Sequence, residues 1–184
     1  MSAHAITEAL QKQKWIDAPA GKAHDFVRKT FDSTGKPGRA VESFLHGEWL
    51  GHSLHASITD VPIGSWTAAV VMDTVDAVRG KQELNAGADA ALTLGIVGAA
   101  AAAVTGWSDY GKMRDPAILR IGAIHASMNV TALGLMSLSL LLRRRKRREA
   151  GRWLALLGFA VVIASAFLGG EMVYRQRAGI GPRG

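Results

Sequence analysis

The chain has 184 residues, 22 Lys and Arg against 15 Asp and Glu, and a formal net charge of +7. It contains no cysteine, which excludes disulfides, thiolate metal sites, cysteine-held iron–sulfur clusters and cysteine nucleophiles. Hydrophobic residues make up 48%, and their distribution is the informative part: residues 1–50 are polar and mixed in charge, while most of 57–174 falls into four long apolar blocks. The length suits one domain. Residues 1–20 lack an apolar h-region, so no signal peptide is expected.

Residues 3–16 place Ile6, Leu10 and Trp15 near helical spacing, and Ala18-Pro19-Ala20-Gly21 then breaks the pattern. Residues 22–32 carry Phe26, Val27 and Phe31 on a second amphipathic stretch. Ser33 to Gly38 reads as a loop, and 39–50 as a third short helix with Val41, Phe44, Leu45 and Leu50 apolar. Residues 1–50 are thus expected to form short amphipathic helices on the membrane surface or on the rest of the protein. Residues 51–184 form the transmembrane part.

The first apolar block predicts a helix over Val61–Val78, opened by Asp60 as a capping carboxylate and Pro62 in the first turn. The second, Ala86–Trp107, is almost entirely Ala, Gly, Val, Leu and Ile, a thin helix that neighbours can approach closely. The third runs over Ala117–Leu142. The fourth runs over Trp153–Tyr174, with an aromatic residue at each end. Each span is near the ~20 residues that cross the hydrocarbon core. The connections Arg79–Asn85, Ser108–Pro116 and Arg143–Arg152 are short, which forces antiparallel neighbours. The expected fold is therefore all-α, a four-transmembrane-helix up-down bundle with short N-terminal amphipathic helices.

Six consecutive cations, Arg143 to Arg148, follow the third span. No base-reading aromatic or polar residues accompany them, so they are a topology signal and not a nucleic-acid site. The positive-inside rule puts loop 143–152 in the cytoplasm, with Arg79 and Lys81 on the same side, and the four apolar blocks make the chain a multi-pass membrane protein.

In such a bundle the starts of spans one and three and the ends of two and four meet at one face. That face would gather His46, His52, His55, Asp60 and His125 with Asp109 and Glu171. His125 lies deepest, roughly 12 Å into its helix, with Asn129 one turn further on. An ionisable residue at that depth needs a partner in the bundle interior. At the opposite face Asp73, Asp76 and Asp89 lie beside the basic loops, where pairing with Arg and Lys is the simplest expectation.

Four stretches in order, LHGEWLGHSLHASITDVPIGSWTAAVVMD, TGWSDY, IGAIHASMNVTALGLMSLSLLLRRR and LGGEMVYRQRAGIG, resemble the DUF2231 family of bacterial integral membrane proteins over about residues 40–184. The resemblance implies a four-helix membrane domain in a bacterial inner (plasma) membrane. Some members carry a Rieske-type iron–sulfur domain after the fourth helix, which implies a role near electron transfer. Without cysteine, no such domain is expected in this sequence. The family's first motif usually reads HPLHP; here Ser53 and Ala56 replace the prolines while His52 and His55 remain.

Three functions follow as expectations. The first is b-type haem held between His55 (or His52) and His125, with Asn129 or Asp109 fixing the tautomer and a redox protein as partner. The second is a divalent metal ion at His52, His55, Asp60 and His125. The third is a non-catalytic assembly module in the lipid bilayer, alone or as a homo-oligomer, in which His125, Asn129, Asp109 and Glu171 form a structural network. No nucleophile–base pair or phosphate loop is visible, so enzyme activity is not expected.

Overall fold

The computed structural model describes residues 3–174. Every regular element among them is helical: α1 (Ala3–Gln11), α2 (Asp17–Asp32), α3 (Lys36–His46), α4 (Leu54–Ile58), α5 (Asp60–Arg79), α6 (Asn85–Lys112), α7 (Pro116–Arg144) and α8 (Arg148–Tyr174), with single 3₁₀ turns at Lys14–Ile16 and Glu48–Leu50. The expected all-α class holds. Among the described residues three helices are long and apolar enough to cross a membrane: Asn85–Lys112, Pro116–Arg144 and Arg148–Val173. The first expected span does form a helix, α5, but it is not among the three. Asp73 and Asp76 on it lower its mean hydropathy.

Two N-terminal expectations are corrected. The break at Ala18–Gly21 is absent, because α2 starts at Asp17 and runs through it. Pro19 falls in the first turn, where its missing N–H has no intrahelical partner to lose. The loop over Ser33–Gly38 is shorter than its composition suggests. Pro37 sits in the first turn of α3, and Gly35 before it takes φ +64°.

The chain divides into two compact units. Unit 2 comprises Ile58–Ala102 and Met128–Ala164, and so contains α5 and parts of α6, α7 and α8. Its core is Trp66, Ala69, Leu92, Ala132, Met136, Ala155 and Val162, drawn from all four helices. Small residues permit the close approach. A methyl at Gly95 would overlap the Trp66 indole, and one at Gly98 would sit 2.9 Å from Val61. Trp66 Nε1 donates to the Leu92 carbonyl at 3.3 Å, so the indole is both packed and satisfied.

One end of unit 2 holds a buried ion network. The Arg143 side chain is 0% exposed and Asp73 is 7% exposed. Arg143 donates through both terminal nitrogens to Asp73, at 3.1 Å for Nη1, and through Nη1 to Asp89 at 3.1 Å. Arg148 clasps Asp89 at 2.9 and 2.7 Å, and Arg152 Nε reaches Asp73 at 3.3 Å. The expected pairing of Asp73 and Asp89 with the basic loop is therefore present. Asp76 differs: its carboxylate accepts the Leu84 N–H at 2.9 Å, at the start of α6, where an acceptor satisfies an orphan helix donor.

Both turns of unit 2 are left-handed helix caps. After α5, Gly80 has φ +62°, with Lys81 N–H donating to the Asp76 carbonyl and Gly80 N–H to that of Ala77. After α7 the same pattern recurs, Arg147 to Leu142 and Lys146 to Arg143, but the left-handed residue is Lys146 at φ 61°.

Unit 1 comprises Met1–Ser57, Ala103–Ser127 and Ser165–Gly184. Here the N-terminal helices pack against the end of α6 and the start of α7, around Val27, Phe31 and Tyr110 with Leu45, Met113 and Leu119. Polar pins fix them. His24 Nε2 donates to the Gly111 carbonyl at 3.1 Å, Tyr110 OH to that of Ala20 at 3.1 Å, and Ser108 Oγ to that of Glu42 at 2.9 Å. Arg120 donates to both carboxylate oxygens of Asp17 at 2.5 and 2.9 Å, and Lys112 pairs with Glu48 at 2.5 Å.

Truncating Asp73→Ala should strand the buried Arg143 charge and cost about 3–5 kcal/mol, seen as a fall in thermal midpoint in detergent. Asp73→Ala combined with Arg143→Leu should recover part of the loss, and no recovery would mean that the network is incidental. A second expectation concerns acid. Arg120 holds the Asp17 carboxyl, and Lys112 with Ser43 the Glu48 carboxyl, below the ordinary carboxylate range. A depressed folded-state value stabilises above the unfolded value near 4 and is lost as pH falls through the folded one. Hydrogen exchange in residues 5–50, corrected for intrinsic rate, should therefore rise between about pH 5 and 3. The rise should be smaller in Asp17→Asn/Glu48→Gln.

Candidate functional site

The site-bearing residues of unit 1 fall into two adjoining groups along the chain. The first centres on Asp109 in α6. His46, the last residue of α3, places Nδ1 2.7 Å from one of its carboxylate oxygens. Ser53 Oγ donates to the other at 2.6 Å. The same Ser53 oxygen accepts the Ala56 N–H at 3.3 Å, three residues on, and so caps α4. Serine at a position where the related motif carries proline thus anchors the turn by hydrogen bonds. A carboxylate that receives two side-chain donors is well solvated by protein, and it orients the His46 ring with Nδ1 as donor.

The second group is an imidazole pair. His55 on α4 and His125 on α7 have ring centroids 6.3 Å apart with planes at 88°. Glycines let neighbouring helices close on both rings. A methyl at Gly106 of α6 would lie 3.0 Å from His55, and one at Gly169 of α8 would lie 3.1 Å from His125. His125 Nδ1 is 2.9 Å from the Ser165 carbonyl oxygen, which can only accept, so Nδ1 carries the proton and Nε2 the lone pair. Ser165 Oγ lies 3.0 Å from the same nitrogen and donates to the His125 carbonyl at 3.3 Å.

The expected convergence is partial. His55 and His125 come together, and His46 and Asp109 come together. His52 is exposed on the turn, with Nδ1 donating to the Ser53 carbonyl at 3.3 Å. Asp60 is exposed at the start of α5 in unit 2, and Asn129 also falls in unit 2. Glu171 is half-buried on α8, two residues past Gly169. Among the described residues no group of three or more His, Asp or Glu side chains gathers at metal-ligating distance.

Two residues of the site escape a sequence reading. Ser53 and Ser165 carry the anchoring contacts, yet a serine beside or within an apolar block reads as a small packing residue.

A family model described as a predicted membrane protein (DUF2231) matches residues 51–182. The chain belongs to the DUF2231 family. No curated protein and no solved structure matches it. The family description and the three apolar helices agree on a membrane protein. Within this DUF2231 protein, His52, His55, Asp109 and His125 lie in the matched stretch, whereas His46 precedes it. The Asp109–His46 contact therefore ties the N-terminal helices to the family domain.

Asp109→Ala should leave Ser53 and His46 without their acceptor and cost about 1–3 kcal/mol. Hydrogen exchange should rise over residues 46–57 and stay unchanged in α5. Equal loosening of both regions would show that Asp109 has no local anchoring role.

Proposed function

We propose that this chain is a non-catalytic membrane subunit in which α5 crosses the bilayer together with α6, α7 and α8, and the N-terminal helices form an interfacial collar. At 1.5 Å per residue the 20 residues of α5 reach about 30 Å, the thickness of the hydrocarbon core. Its buried carboxylates do not forbid this. Asp73 lies among three guanidinium groups and Asp76 accepts a backbone donor. The collar exposes Trp15, Phe26, Phe44 and Trp49, residues of the type that settle at the headgroup level.

The observation that carries the non-catalytic assignment is the commitment of Asp109. Its two oxygens receive His46 and Ser53, so the most central carboxylate of the site serves anchoring. Its role is then to position the collar, which would meet a partner protein at the membrane surface.

A second reading rests on one specific observation. Two metal–nitrogen bonds of about 2.1 Å plus two ring radii of about 1.2 Å span roughly 6.6 Å, close to the 6.3 Å between the His55 and His125 centroids. The Ser165 carbonyl also holds His125 in the tautomer that ligates through Nε2. Two imidazoles suffice only where the ligand brings its own remaining donors, as haem does, and such a group would supply one-electron transfer when bound. Against a flat macrocycle stands the packing of both rings directly on glycine-lined helix backbones.

Absorption spectra and metal analysis of the purified chain, before and after haem addition, separate the two readings. The subunit reading expects no Soret band, no stoichiometric metal, and His125→Gln tolerated with a small loss of thermal midpoint. A Soret band lost in both His55→Ala and His125→Ala would replace it with the haem reading.

A further inference from the structure

The cations at the α7–α8 turn divide into two populations. Arg143, Arg148 and Arg152 point into the ion network with Asp73 and Asp89. Arg144, Arg145, Lys146 and Arg147 are all exposed. In the same unit Arg79 is exposed at the end of α5, and Lys81 nearby is engaged by Glu83 at 3.0 Å. Glu149 is the single exposed carboxylate adjoining the four in sequence. Asp73 and Asp89 are already matched by the three inward arginines, so the outward charges are surplus.

Two further observations bear on what they meet. Lys146 occupies a left-handed position, φ 61°, where glycine would relieve the strain, as Gly80 does in the matching turn of the same unit. A cation therefore stands at a position whose backbone favours glycine. Trp153, one turn into α8, is 67% exposed and sits where an indole anchors at the lipid interface.

We infer that the α7–α8 turn binds the phosphate headgroups of anionic phospholipids, with Arg144, Arg145, Lys146 and Arg147 as the contacting cations and Trp153 as the neighbouring interfacial anchor. The inference rests on the membrane assignment, because the ends of two spanning helices bring these cations to the headgroup level. Several Lys and Arg beside a helix end attract acidic lipid with an affinity that rises several-fold per cation. Recognition is electrostatic, so added salt weakens it.

The test uses the full chain in neutral detergent, equilibrated with equal amounts of phosphatidylglycerol and phosphatidylcholine, followed by isolation and lipid quantification. Wild type should retain phosphatidylglycerol over phosphatidylcholine by about tenfold or more, and the ratio should fall towards one at about 1 M salt. The variant R144Q/R145Q/K146Q/R147Q should lose the preference while keeping the wild-type thermal midpoint in lipid-free detergent. An even ratio in wild type, a ratio indifferent to salt, or a folded quadruple variant that keeps the preference each overturns the proposal. The wild-type salt series decides it should that variant not fold. Displacement of the lipid by inorganic phosphate at equal concentration would make the turn a free-phosphate site and overturn the lipid assignment. The membrane assignment fails separately, if alkaline carbonate strips the chain from membranes.

Discussion

Burial of the Arg143 guanidinium is the constraint on which unit 2 depends. A guanidinium cannot lose its proton in a protein, so a fully buried one must be surrounded by acceptors. Asp73 of α5, Asp89 of α6 and Ser139 of α7 supply them, while Arg148 of α8 pairs with Asp89 and Arg152 with Asp73. Four helices therefore contribute to one network. The apolar core beneath it is made largely of Ala, Leu and Val, whose packing tolerates small slips along the helix axes. Hydrogen bonds at fixed angles do not, so the network sets the register that small residues alone leave loose.

Much of this was legible beforehand because the physics of charge in an apolar block leaves few options. Asp73 and Asp89 had to find cations, and the only dense supply followed the third apolar block. Asp76 was assigned with them and took a different partner. A backbone N–H at a helix start is as effective an acceptor's target as a cation, but it leaves no mark in the sequence. Pro19 was misread for a related reason. Proline breaks a helix interior and suits its first turn, and only the position of Asp17 as the start decides which applies.

The site was less legible than the fold. Grouping polar residues by helix end put the histidines with Asp109, which share unit 1, and also Asp60, which lies in unit 2, and it could not say which pairs meet. His46 and Asp109 are 63 residues apart, and no periodicity links them. His55 and His125 meet because Gly106 and Gly169 let α6 and α8 approach the rings, a role that a glycine in a glycine-rich helix does not advertise. His52 is three residues from His55, yet it faces outward. The two would share a face only on a helix, and α4 begins at Leu54, after His52.

The partition of the basic turn also bears on why α5 falls outside the set of strongly apolar helices. A hydropathy sum treats each charge as if it stood alone in lipid. Asp73 is instead solvated by three guanidinium groups far along the sequence and Asp76 by the backbone donor of Leu84, so the cost that the sum attributes to α5 is largely met. The same cations are then counted a second time, as part of a positively charged loop. Arg143 and Arg148 are held by internal carboxylates, and the four between them are exposed. A helix that looks too polar and a loop that looks too basic are two views of one set of ion pairs, and the cations left over are the exposed ones.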